Sequence, residues 1–92
     1  MFCLVCFDIV EDRTRSRVAK VLKEHGKRVQ KSVFECSALS EERFLKLRAR
    51  LEDLIDSSED TVRYYFLCRA CIDRVEYSGT GGPPDRETFR VV

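Results

Sequence analysis

The chain opens on an apolar run, Phe2, Cys3, Leu4, Val5, Cys6 and Phe7, that stops at the carboxylate of Asp8. Apolar side chains at both parities, with few good helix formers among them, predict a central strand covered on both sides or paired along its length. Asp8 then stands where that strand leaves the core. From Asp12 the period becomes helical: Val18, Val21 and Leu22 share one stripe with His25 at its end, while Arg13, Arg17, Lys20, Lys23 and Glu24 lie elsewhere around the helix. Asp12 is placed to cap the free amides of the first turn, and Gly26 to stop the helix in the left-handed conformation.

Lys27 to Cys36 carries β-branched and aromatic residues and reads as extended. The pattern leaves open whether it is one strand or two joined at Gln30-Lys31-Ser32, since no glycine or proline marks a turn. Ser40 caps a second helix, with Glu41 and Glu42 in its first turn and Phe44, Leu47, Leu51, Leu54 and Ile55 on its apolar face. Residues 56–60, Asp-Ser-Ser-Glu-Asp, read as a solvated loop. Thr61 to Cys68 alternates Val62, Tyr64, Phe66 and Cys68 with Arg63, Tyr65 and Leu67, which is a strand pattern. Arg69 to Asp73 reads as a connection, Arg74 to Ser78 as a short further strand, Gly79 to Pro84 as a flexible break, and Phe89 to Val92 as an edge strand on this protomer or on a partner.

If the middle segment is two strands, the order is β-α-β-β-α-β. That is an α+β, ferredoxin-like arrangement: an antiparallel sheet with both helices on one face, here with a C-terminal extension strand. Residues 1–78 form the domain and 79–92 its tail. The other face of the sheet is then open and partly apolar, and a second copy is its natural cover, so a homodimer is expected.

Composition narrows the function classes. Ninety-two residues, 43% hydrophobic and 36% charged, describe one soluble globular domain and not a disordered or membrane protein. A net charge of +1 is neutral on nucleic acid, but its distribution is not. Arg13, Arg15, Arg17, Lys20, Lys23, Lys27, Arg28 and Lys31 face only Glu24 in their stretch, whereas from Glu41 to Asp60 four basic residues stand against seven acidic ones. The odd cysteine set Cys3, Cys6, Cys36, Cys68 and Cys71 lacks the spacing of a secreted disulfide framework and favours a reducing compartment. The opening run is too short for a signal peptide or a membrane span, so a cytoplasmic location without a membrane partner is expected. Cys3 and Cys6, at i and i+3 of a strand, point to opposite faces and cannot chelate one zinc; with Cys68 and Cys71 they are expected to be buried thiols and not a structural zinc or redox site.

The candidate chemistry lies at Asp8. A carboxylate on a rigid strand, followed at once by Arg13, Arg15 and Arg17, points to a metal and phosphate site. The plain alternatives are a turn residue and a solvated helix face. Phe7-Asp8-Ile9, Arg15-Ser16-Arg17-Val18 and the most specific block, Arg28-Val29-Gln30-Lys31-Ser32-Val33-Phe34-Glu35, resemble the small CRISPR-associated adaptation protein, the second of the CRISPR-associated series. The resemblance implies a ferredoxin-like homodimer that works with the CRISPR integrase in acquiring spacers, and that in several members is a metal-dependent endonuclease. Carried over by position, the family's metal-binding and catalytic aspartate falls on Asp8, its helix arginines on Arg15 and Arg17, its strand arginine on Arg28, and its serine and phenylalanine on Ser32 and Phe34. Phe7 stands where the family commonly has tyrosine.

Hydrolysis of a phosphodiester with Mg²⁺ or Mn²⁺ can be served by one or two carboxylates plus waters. One chain offers a single rigidly placed carboxylate, so the expected site is shared, with Asp8 from both protomers at the dimer axis. Arg13, Arg15, Arg17, Lys27, Arg28 and Lys31 are the expected contacts to RNA or DNA, with Phe7, Ser32 and Phe34 in support. The competing reading is a non-catalytic dimeric scaffold that bridges integrase subunits and binds duplex DNA. A third is a toxin-like RNA-cleaving protein of similar fold.

Overall fold

The computed structural model describes residues 1–84 of the chain. Its elements are β1 (Phe2–Asp8), α1 (Asp12–Lys23), β2 (Lys27–Gln30), β3 (Val33–Cys36), α2 (Glu41–Leu54), β4 (Thr61–Leu67) and a short α3 (Arg69–Ile72). The four strands form one sheet in the order β2-β3-β1-β4, with every neighbouring pair antiparallel. This is the ferredoxin-like arrangement. The Lys27–Cys36 segment is therefore a hairpin of two strands. Its turn at Lys31-Ser32 uses no glycine, and the register shifts by a residue between Arg28 and Gln30.

β1 is interior, bonded to β3 on one side and β4 on the other. Its alternation sorts the two faces. Cys3, Val5 and Phe7 are buried in the core with Val18, Ala19, Val21 and Leu22 of α1, Phe44, Leu47 and Leu51 of α2, and Phe34 and Cys36 of β3. Both helices cover this face. Phe2, Leu4, Cys6 and Asp8 have the opposite parity; Phe2 is fully buried, while Leu4, Cys6 and Asp8 lie on the more open part of that face, level with Tyr65, Arg63 and Thr61 of β4, and Leu4 and Cys6 also with Glu35 and Val33 of β3. On β4, Val62 and Tyr64 pack against the core, and Phe44 meets the Tyr64 and Phe66 rings edge-on.

Ser40 caps α2 as the sequence predicts, its Oγ accepting the Arg43 N–H at 3.1 Å. At α1 the cap position is Glu11, which makes no side-chain cap bond, and Asp12 is the first helical residue. The Asp12 carboxylate pairs forward with Arg15 instead of back with the amides. Gly26 does not adopt a left-handed backbone; among the described residues only Gly79 and Gly81 have positive φ. What Gly26 provides is space, because a Cβ there would lie 2.4 Å from the Glu35 carbonyl oxygen and 2.7 Å from Cys36 Sγ.

Arg69 to Ile72 is a helical turn, not an irregular connection, and it buries Ile72. Arg74 to Ser78 is not a strand. Its alternation suits one, but the segment joins no ladder; residues 75–78 instead line a groove with Leu4, Lys27, Val33 and Glu35 on the open side of the sheet. The predicted edge strand at Phe89–Val92 lies outside the described residues. Among the described residues no helix is long and apolar enough to cross a membrane.

Candidate active site

The topology gathers one end of the sheet. β1 ends there, the antiparallel β3 and β4 begin there, and α1 starts just beyond, so Asp8, Thr61, the Lys31-Ser32 turn and Arg13 are neighbours in the fold. The Ser32 carbonyl accepts the Phe7 N–H at 3.1 Å and ties the hairpin turn to the residue before Asp8. Asp8 is exposed, and its carboxylate makes no hydrogen bond or ion pair among the described residues. A rigidly mounted carboxylate with all its acceptor sites available is suited to a hard cation.

The loop that follows is held from two sides. The Arg15 guanidinium donates to the Ile9 carbonyl from Nε (3.3 Å) and Nη2 (3.0 Å), to the Val10 carbonyl from Nη2 (3.2 Å), and to Asp12 from Nη1 (2.5 Å). Across the loop, Asp60 accepts the Val10 N–H at Oδ1 (3.0 Å) and the Asp56 N–H at Oδ2 (2.9 Å). Sequence reading placed Asp60 in a solvated loop and missed this bond, since its partner lies fifty residues away and no local pattern marks it. Asp60→Ala is expected to cost about 1–2 kcal/mol through two lost charge-assisted bonds. It should also speed amide hydrogen exchange at Val10 and Asp56, measurable by NMR beside a urea titration.

The six candidate nucleic-acid contacts separate three ways. Arg15 is directed into the β1–α1 loop. Arg28 donates to the Lys31 carbonyl from Nε (3.0 Å) and Nη2 (2.6 Å), and lies 5.6 Å from the centroid of the Phe34 ring, so it braces the hairpin turn. Arg13, Arg17 and Lys31 are exposed and carry no ion pair among the described residues. Lys27 starts β2 at the far end of the sheet, opposite Glu35; burial raises the Glu35 pKa and the Lys27 charge opposes that rise.

Arg17 and Lys20 line a cleft of about 300 Å³ with Arg50 and Asp53 of α2, which adds a cation that the acidic reading of α2 did not anticipate. Glu24, the lone acid of the basic stretch, pairs with Arg50 at 3.6 Å. Phe7 and Phe34 are core residues stacked at 6.2 Å between centroids. His25 sits beyond the other end of α1, 3.3 Å from Arg43, its pKa lowered mainly by burial and then by the Arg43 charge. It is not at the Asp8 end.

The cysteines divide differently from expectation. Cys3 and Cys36 are buried thiols, with burial the first cause of pKa values pushed up to about 12 and about 11. Cys68 and Cys71 are exposed, because β4 ends at Leu67 and the chain turns into α3 at the surface.

The antiparallel β2-β3-β1-β4 sheet with both long helices on one face, and an unpartnered aspartate where its interior strand ends, places the chain among the small ferredoxin-like domains. Residues 1–75 match the family model described as CRISPR associated protein Cas2, and the chain belongs to that family. It is 42% identical to CRISPR-associated endoribonuclease Cas2 1 of Chloroflexus aurantiacus over 86 residues, which cover 92% of this chain and 91% of that one. Its structure resembles the crystal structure of Streptococcus pyogenes Cas2, with a TM-score of 0.78 and 36% identity over 86% of this chain and all of that one. It also resembles a chain of a partial Cas6-RT-Cas1–Cas2 complex, with a TM-score of 0.73 and 33% identity over 83% of this chain and 82% of that one.

Proposed function

We propose that this chain acts in CRISPR adaptation as a homodimeric, nucleic-acid-binding endonuclease that depends on Mg²⁺ or Mn²⁺, with Asp8 of one protomer and the partner's Asp8 forming a shared site at the dimer axis. The observation that carries the reading is the unpartnered Asp8 carboxylate on the open face of the sheet. The endoribonuclease name of the Chloroflexus relative supports cleavage, and the likeness to a chain of a Cas1–Cas2 complex supports work beside an integrase subunit.

The donor chemistry fits a hard divalent ion only as part of a shared set. Among the described residues no group of three or more His, Cys, Asp or Glu side chains comes together, so in this reading Asp8 is the carboxylate each chain contributes. One or two carboxylates with waters and phosphate oxygens are enough for Mg²⁺. On the sheet face away from the helices Tyr65 is exposed and Cys6 half-buried, which leaves apolar surface there for a second copy to cover. When bound, such an ion lowers the pKa of a water and offsets phosphate charge.

The chain's own residues do the rest. Asp8 supplies the oxygen ligand at a position set by β1 and by the loop that Arg15 and Asp60 hold. Arg13 and Lys31 flank it and draw a backbone phosphate to the same end of the sheet, and Arg17 with Lys20 extends the positive path along α1. Arg15 and Arg28 contribute through the loop and the turn that they brace.

The test is cleavage of single-stranded RNA and duplex DNA by purified protein, with and without chelator and across Mg²⁺ and Mn²⁺, alongside light scattering. Metal-restored cleavage by a dimer is the expected result. The likeness to the complexed chain favours one second reading, a non-catalytic bridge. In that case a dimeric protein binds DNA with a steep salt dependence, cuts nothing in any metal, and loses affinity on charge reversal at Arg13, Arg17 and Lys31.

A further inference from the structure

We propose that Cys68 and Cys71 form a redox-active dithiol that low-molecular-weight disulfides oxidise to an intramolecular disulfide, clamping the turn that joins β4 to residues 73–84. The site stands on geometry. The two sulfurs are 3.5 Å apart, both residues are exposed, and they sit three positions apart across the single turn of α3. The two sulfurs are brought into contact by one turn of chain, so the partners of an intramolecular disulfide already stand side by side. Two exposed thiols in contact also leave the attacking sulfur and its resolving partner open to a small oxidant.

The same chain supplies an internal contrast. Cys3 and Cys36 are fully buried, and burial holds both as inert thiols. Cys6 is half-buried on the open sheet face, and burial raises its pKa as well. At Cys68 the direction reverses: hydrogen bonds from the Cys71 backbone N–H and thiol favour its thiolate, while Cys71 is raised by the same contact. Cys68 is therefore the attacking sulfur and Cys71 the resolving one.

The exchange balances. The Cys68 thiolate attacks one sulfur of a disulfide RSSR, forming a mixed disulfide and releasing RS⁻. The Cys71 sulfur, losing its proton, attacks Cys68 Sγ, breaks the mixed disulfide and releases the second RS⁻. The two cysteine protons end on the two released thiolates, so the dithiol is oxidised by two electrons and RSSR is reduced to two RSH. Ile72 is the buried residue of α3, whereas Cys68 and Cys71 are exposed, so the bond forms at the surface and outside the core.

The full-length chain is equilibrated in buffers of defined reduced-to-oxidised glutathione ratio, quenched with a maleimide and mapped by mass spectrometry. Wild type is expected to lose two hydrogens and yield one Cys68–Cys71 disulfide, with Cys3 and Cys36 labelled only after unfolding. Cys71→Ser is expected to stop at a glutathione adduct on Cys68, and Cys68 to alkylate about tenfold faster than Cys71 near neutral pH. Independent adducts on both cysteines without the two-hydrogen loss would overturn the proposal. So would a disulfide that appears only once the chain is unfolded by circular dichroism, or one that links Cys6 or two chains. The outcome is separate from the nuclease reading, because none of these measurements involves Asp8.

Discussion

Asp8→Asn is expected to lower metal-dependent phosphodiester cleavage by roughly 10²–10³-fold, the range seen when one electrostatic group is removed from a reacting centre. The change keeps the shape and removes the charge. Asp8 is exposed and makes no side-chain bond among the described residues, so its stability is expected to stay within about 0.5 kcal/mol of wild type. Single-turnover cleavage and a urea titration on the same preparations separate the two effects. Equal activity in both proteins would trace the cleavage to a contaminant and remove Asp8 from the chemistry. Subunit mixing tests whether the site is shared. If a productive site needs Asp8 from both chains, equal parts of wild type and Asp8→Asn, allowed to exchange at random, retain about a quarter of wild-type activity; if each chain acts alone they retain about half.

Gly26→Ala is expected to cost about 1–3 kcal/mol, a large share of the stability of a domain this small. The added methyl would meet the backbone oxygen of Glu35, which cannot move without shifting β3, whose Phe34 and Cys36 are fully buried. Gly26→Asn separates this cause from the one the sequence predicted. A left-handed stop tolerates asparagine, whereas a close approach of backbones penalises it at least as much as alanine. Urea midpoints for the two variants decide the matter, and an Asn variant as stable as wild type would restore the left-handed stop.

The contrast between those two readings of Gly26 shows what was legible in the sequence. β1, both long helices and β4 were readable because each carries an apolar period long enough to name its own element, and Ser40 before Glu41 marked a real cap. The hairpin was half-legible. Its strands had the right residues, but the turn at Lys31-Ser32 is built from a register shift and the Arg28 brace, not from a glycine. Arg74 to Ser78 misled because alternation reports what a strand needs on its two faces and says nothing of whether its backbone will pair with a neighbour.

At the proposed site, the sequence singled out Asp8 and the basic cluster as candidates but not how the cluster divides. Arg13 and Arg15 are two residues apart and alike on paper. One faces solvent, while the other closes the loop behind Asp8, a distinction set by where Ile9 and Val10 present their carbonyls. The surface dithiol was hidden for a similar reason. Cys68 extends the apolar parity of β4 on paper, and only the turn after Leu67 brings it out.

The alternation along β1 binds fold and chemistry to one phase. Phe7 points into the core and Asp8 away from it, so a slip of one residue against β3 and β4 would bury the carboxylate and expose the ring. The free-energy cost of an unpaired charge among Val5, Phe34 and Leu47 is thus also a guarantee of sidedness. An insertion or deletion between Phe2 and Phe7 that no bulge absorbed would misplace the aspartate and the core ring together, so this strand is freer in the identity of its side chains than in its count.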